Sequence, residues 1–216
     1  MQIVGRGRVG SAIAARLHER GVELRDGGAE IVLLCVPDAA IAETADVLPL
    51  APSQWMAHTS GATPLSALSH KRRFGLHPLQ TFDRSGDPRQ LDGAYAAVTG
   101  ETDEAEAVGR RLAELLGLRP FPLAERDRAL YHAGAAIASN YLVTLHRAAS
   151  DVFAEVGAPP AGLEPLMRRV VDNDFELTGP IARGDWETVD SHLAAIRERM
   201  PRLEPLYRIL AEATAQ

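Results

Sequence analysis

Three polar residues, His132, Ser139 and Asn140, stand in an otherwise apolar and uncharged stretch from Ala129 to His146. At roughly 100° per residue, a regular helix puts Ser139 about 20° from His132 and Asn140 about 80° from it. All three then line one side of the helix. Unpaired polar groups are costly to bury, so this trio either pairs internally and joins helices, or faces a cleft and meets a small molecule. A second histidine, His77, precedes Pro78 at the end of a short apolar run. It is placed to hydrogen-bond a carboxylate or carbonyl, or else to tie down its turn. His58-Thr59-Ser60-Gly61 ends another run, where Ser60 either offers its N–H and hydroxyl to a ligand or closes a hydroxyl-capped turn. Arg183, in the polar segment Thr178–Asp185, either clamps a carboxylate bidentately or pairs with Asp185. Lys71 is the only lysine, so lysine chemistry has a single candidate. No spacing of His, Asp or Glu suggests a metal site, and Cys35 reads as inert packing.

The elements that position these residues alternate. Gln2-Ile3-Val4 reads as a strand, Ser11 to Arg20 as a helix closed by Gly21, and Ile31–Val36 as a strand apolar on both faces. Ala39–Leu48 is helical, Met56–Ser60, Phe74–Pro78 and Tyr95–Thr99 are strands, and Asp103–Leu116 is an amphipathic helix. Strands alternating with helices predict a parallel sheet covered on both sides. Past Pro122 the pattern turns helical: one long helix from Glu125 to Val156, apolar round its middle and so expected to be buried. Helices over Ala161–Asp172, Trp186–Arg199 and Arg202–Ala215 follow. The reading is therefore an α/β domain over residues 1–122 and an all-α domain over 123–216.

Gly5-Arg6-Gly7-Arg8-Val9-Gly10 matches G-x-G-x-x-G between a strand and a helix. In that context the first glycine permits the tight turn, the second lets backbone approach a pyrophosphate, and the third lets helix and strand pack closely. The helix N-terminus adds free N–H groups and a positive dipole end. This predicts a Rossmann-type turn. A ribose partner is expected about 20 residues on, and Glu23, Arg25 and Asp26 are on offer. The next strand begins at Ile31, however, and a parallel crossover needs a dozen or more residues. The second strand and its helix are therefore expected to be vestigial or absent. The pyrophosphate half of the site reads as complete and the adenosine half as deficient, so binding of an intact dinucleotide is expected to be weak.

The chain has 216 residues, 46% hydrophobic and 24% charged, with 29 acidic and 23 basic residues and a formal charge of −6. These proportions suit a globular protein with its own core. The acidic balance argues against nucleic acid as a partner. The Ala129–His146 stretch is too polar for a membrane span, and one cysteine excludes an internal disulfide framework. A cytoplasmic location is the expectation.

Several stretches carry a resemblance. They are the glycine turn, Val36-Pro37-Asp38, His58-Thr59-Ser60-Gly61-Ala62, His77-Pro78-Leu79-Gln80-Thr81-Phe82, Leu130-Tyr131-His132-Ala133 through Ser139-Asn140-Tyr141-Leu142, and Leu177–Asp185. In this order they resemble the 6-phosphogluconate dehydrogenase-type reductases, and more narrowly the Rossmann-like proteins carrying domain of unknown function 2520. The resemblance implies NAD(P)-dependent oxidoreductase chemistry. Gly5, Arg6, Gly7, Arg8, Val9, Gly10, Pro37 and Ser60 would meet the cofactor. His132, Asn140 and His77 would be catalytic, and Ser139 and Arg183 would hold substrate. Related dehydrogenases place a lysine and an asparagine on the corresponding helix; here no lysine is available, and His132 takes the acid–base role. The His77-Pro78 turn resembles that of prephenate dehydrogenases.

Three activities remain open. One is a reductase acting on a small carbonyl, imine or hydroxy acid. Another is a prephenate-dehydrogenase-like oxidative decarboxylase, and the third a non-catalytic binder of a small ligand. Arg6, Arg8 and Arg25 favour NADP over NAD. The apolar long helix further predicts a homodimer through the helical domain.

Overall fold

The computed structural model describes residues 1–216 as two compact units, Met1–Ser139 and Asn140–Gln216. Strand–helix alternation ends at Pro122, as the sequence pattern has it, while the first unit continues through the start of the long helix to Ser139.

The first unit is a six-stranded sheet in sequential order, built from β1 (Gln2–Val4), β2 (Ile31–Leu34), β3 (Trp55–His58), β4 (Arg73–Pro78), β5 (Tyr95–Gly100) and β6 (Arg119–Pro122). Helices α1 (Arg8–Glu19), α2 (Ile41–Val47) and α3 (Asp103–Leu115) connect it. β2 is buried on both faces, as its unbroken apolar run predicts. Leu33 packs with Ile13, Leu17, Phe74, Leu76 and Leu112 on one side. Val32 and Leu34 pack with Ile41, Met56 and Leu68 on the other.

β1 through β4 run parallel, whereas β5 pairs antiparallel with β4 and β6 runs parallel to β5. The all-parallel expectation fails at β5 for a physical reason. The β4–β5 connection, Leu79 to Ala94, contains only a 3₁₀ turn (Pro88–Leu91) and no crossover helix. Without a crossover the chain returns alongside its own strand. β6 is absent from the sequence reading because Arg119-Pro120-Phe121-Pro122 carries two prolines; its place at the sheet edge tolerates them.

Between α1 and β2 no strand or helix forms, as expected. β1 pairs directly with β2 and forms the opposite edge of the sheet. Residues 22–26 run beside that edge. The Arg25 N–H donates to the Met1 carbonyl (2.9 Å) and the terminal amine of Met1 donates to the Glu23 carbonyl (2.8 Å). This is the remnant of a second strand, too short to enter the ladder.

The long helix is interrupted. α4 (Arg128–Ala136) passes into a π-helical turn, Ile137–Tyr141, and then α5 (Leu142–Glu155). Its middle is not buried within the chain: Leu130 is 79% exposed and Ile137 and Tyr141 are 60% exposed. The expectation of burial is corrected here, because no element of this chain covers those side chains. The second unit completes with α6 (Leu163–Asp172), α7 (Trp186–Arg199) and α8 (Glu204–Thr214), where α5, α7 and α8 enclose an apolar groove of about 470 Å³. No helix is long and apolar enough to cross a membrane.

Candidate functional site

Two clusters form in the first unit, both beside the ends of its parallel strands. The first is the glycine turn. Gly5 has φ +97°, a left-handed conformation that favours glycine, and a Cβ there would lie 2.5 Å from the Cys35 carbonyl oxygen. A Cβ on Gly10 would lie 2.0 Å from the Gly5 carbonyl oxygen, so helix and strand pack as the motif requires. Around Gly7, by contrast, nothing lies within 4 Å of where a Cβ would be. That open space is where backbone can approach a phosphate, and α1 begins at Arg8 with no acidic residue in its first turn. The cleft here, about 330 Å³, is lined by Arg6, Gly7, Arg8, Ser11 and Arg84. The residues fit the phosphates of a dinucleotide. Val9 is half-buried against the core, and Pro37 is exposed just past β2.

Arg25 is not a free cation, because its guanidinium pairs with Glu23. That corrects the expectation that it supports a 2′-phosphate. Arg84, which the sequence reading missed, comes from the β4–β5 connection. Nothing in its local sequence distinguishes it from a surface arginine.

The second cluster is built around Gly61. A Cβ on Gly61 would sit 2.6 Å from the His132 ring and 2.9 Å from His77 Cε1 and Nε2. The two histidines predicted from separate motifs thus converge, with ring centroids 6.0 Å apart. β4 delivers His77 and α4 delivers His132. Tyr131, to which the sequence assigns no role, lies with its hydroxyl 2.8 Å from His77 Nδ1. Burial pushes the Tyr131 pKa up to about 12, so the phenol keeps its proton and shares a hydrogen bond with Nδ1. Burial, then the neighbouring His132 and Arg128, push His77 down to about 4. His77 is therefore a neutral imidazole near neutral pH, with Nε2 facing the Gly61 backbone.

Beneath the histidines lies a group whose role the sequence did not signal. Arg128, 3% exposed, donates from Nη1 to Thr99 Oγ1 (3.0 Å) and from Nη2 to the Ser60 carbonyl (2.6 Å). It ties α4 to the ends of β3 and β5 and so sets the position of His132. Gly75 makes room for it: a Cβ there would be 2.9 Å from Nη1. His58, wholly buried beside it, is driven down to about 3 by burial and by the Arg128 charge, and neither ring nitrogen has a partner.

Ser60 takes the turn-closing one of its two sequence readings, and Ser139, Asn140 and Arg183 lie outside the histidine cluster. The Ser60 hydroxyl accepts from the Ala62 and Thr63 N–H groups and donates to Thr63 Oγ1, so it closes a turn. The Ser139 hydroxyl donates to the Ala135 carbonyl (2.7 Å). Asn140, the first residue of the second unit, is exposed. The π turn adds a residue to the helical repeat, so the alignment of Ser139 and Asn140 with His132 calculated for a regular helix does not hold. Arg183 donates to the Thr178 carbonyl (2.6 Å), while Asp185 caps α7 by accepting from Thr188. The alternative Arg183–Asp185 pair does not form, because the helix cap engages the carboxylate.

A sheet of this order with a glycine turn on its first crossover, followed by a helical unit, defines a Rossmann-like α/β protein. The family described as Domain of unknown function (DUF2520) matches residues 94–214, more than half of the chain, and the chain belongs to that family. No curated protein matches it in sequence. Among solved structures, a Bacteroides fragilis protein assigned as an NADP oxidoreductase aligns with a TM-score of 0.81 at 18% identity, over 99% of this chain and 96% of its own. A Thermotoga maritima protein aligns with a TM-score of 0.76 at 21% identity, over 100% and 99%. Prephenate dehydrogenase from Aquifex aeolicus aligns with a TM-score of 0.60 at 15% identity, over 99% and 98%. At these identities the likeness is one of fold.

Proposed function

We propose that this chain is an oxidoreductase of the 6-phosphogluconate dehydrogenase-like superfamily. It would use a nicotinamide dinucleotide, NADP in preference to NAD, on a small carbonyl, imine or hydroxy acid. The observation that carries the reading is the convergence of His77 and His132 on the Gly61 backbone. The open glycine turn in the same unit and the fold shared with the NADP oxidoreductase and prephenate dehydrogenase structures support it.

When bound, the nicotinamide supplies or takes the hydride. Gly5 to Gly10 and the α1 N-terminus would hold the dinucleotide's phosphates. His77 is neutral, held at Nδ1 by Tyr131, and turns Nε2 to the site, so it orients a substrate polar group through a hydrogen bond at that nitrogen. His132, half-buried against the same face of Gly61, is the acid–base group that gives or takes the proton at that atom. Arg128 holds α4 and the β3 end in register beneath them.

The test is turnover of a panel of small oxo acids, imines and hydroxy acids with NADPH and NADH, followed by nicotinamide absorbance. His132→Ala is expected to lower turnover by about 10²- to 10⁴-fold with an unchanged circular dichroism spectrum. Activity within a few-fold of the parent removes His132 from the mechanism. If His77→Ala is the worse variant, the His77-centred oxidative decarboxylation of prephenate dehydrogenases becomes the better account.

A further inference from the structure

Arg84 lies outside the glycine motif, yet it lines the same cleft as Arg6, Gly7, Arg8 and Ser11. Its segment is fastened to α1. The nearly buried Arg16 of α1 donates to the Pro88 carbonyl (2.8 Å) and pairs with Asp92 (2.7 Å). Gly86, at φ +68°, sits so close to α1 that a Cβ there would be 3.2 Å from Ser11 Cβ. Within the segment, Asp83 accepts from the Ser85 N–H and Gln90 accepts from the Asp83 N–H. Arg84 is thus held over the α1 N-terminus by contacts that do not involve its own side chain.

The charge distribution is one-sided. This chain carries a net charge of −6, and its surface arginines commonly pair with carboxylates, as Arg72, Arg89, Arg168 and Arg202 do. Arg6, Arg8 and Arg84 have no carboxylate within 4.0 Å, and no acidic residue lines their cleft. Three unpaired guanidinium groups from two separate segments, together with a helix N-terminus, form a concentrated site for a compact multiply charged anion.

We propose that Arg84 is a ligand-binding residue that closes on vicinal phosphates seated over Gly7, opposite Arg6 and Arg8. Recognition is then led by the pyrophosphate group and not by the ribose, whose usual strand is missing between α1 and β2. The identity of the carrier, a nicotinamide dinucleotide, rests on the function proposed above; the anion site itself does not.

The experiment is calorimetric titration of the full chain, Arg84→Ala and Arg89→Ala with inorganic pyrophosphate, NADPH and NADH. Arg89, paired with Asp87 in the same segment, is the control. The expected result is pyrophosphate binding that weakens at least tenfold in Arg84→Ala and stays within twofold in Arg89→Ala, with NADPH and NADH losing affinity by the same factor as each other. Absence of pyrophosphate binding, or a change within twofold in Arg84→Ala, overturns the proposal. A loss confined to NADPH also overturns it, because it places Arg84 on a 2′-phosphate. Arg84-dependent pyrophosphate binding with neither dinucleotide bound upholds the anion site and removes the oxidoreductase reading.

Discussion

The Tyr131 hydroxyl lies 2.8 Å from His77 Nδ1, and this one bond decides which nitrogen of His77 faces the site. The phenol stays protonated, with its pKa pushed up to about 12 by burial. The imidazole is held neutral, its own pKa pushed down to about 4, chiefly by burial. Tyr131→Phe removes the hydrogen-bond partner of Nδ1 and frees the His77 ring from it. A neutral hydrogen bond is worth about 0.5–1.5 kcal/mol, so turnover is expected to fall roughly two- to tenfold. KM should be nearly unchanged, and the acid limb of the pH profile should shift. An unaltered pH profile and turnover would show that Tyr131 serves packing alone.

Acid should weaken this fold before its carboxylates begin to titrate. His58 and His77 are held neutral, with folded pKa values of about 3 and about 4, against an ordinary value of 6.5. Below pH 6.5 the unfolded chain takes up protons that the folded chain refuses. Stability is therefore complete above that pH and is lost as pH falls toward the folded values. Each histidine contributes a slope of up to about 1.4 kcal/mol per pH unit. Denaturant unfolding between pH 7 and 5 measures it. His58→Leu is expected to remove about half of the slope, and a flat profile in the parent would contradict the burial of these rings.

Much of this was legible in the sequence, and what was not has particular causes. The glycine turn, the doubly buried β2 and the missing strand after α1 follow from motif, hydropathy and chain length. His77 and His132 were singled out separately, but no periodicity could place them together, since their meeting depends on the register of β4 and on Arg128. Arg84 and Arg128 read as ordinary charged residues, because only long-range contacts distinguish a buried or cleft-lining arginine from a surface one. The π turn escaped notice because a one-residue insertion in the helical repeat leaves no mark on an apolar stretch of Ala, Ile and Ser. The long helix was misjudged as buried because an apolar surface is the same in sequence whether the chain covers it or another molecule does.

That uncovered surface leads to a prediction about assembly. In the second unit, Leu142, Val143, Leu166, Val171 and Phe175 are each more than 45% exposed. Several large apolar side chains this exposed mark an interaction site, and isologous pairing is the commonest arrangement. Analytical ultracentrifugation is expected to give a dimer at micromolar concentration, and Val143→Glu combined with Leu166→Glu should give a folded monomer. A stable monomer of the parent chain would contradict this.

Binding of intact cofactor tests the central claim most directly. The glycine turn and three arginines provide for the phosphates, while the adenosine side has only the remnant at residues 22–26. Calorimetric titration of the parent chain with NADPH and NADH is predicted to show binding weaker than about 1 µM. The affinity then corresponds to less than about 8 kcal/mol. No binding of either dinucleotide at millimolar concentration would contradict the account.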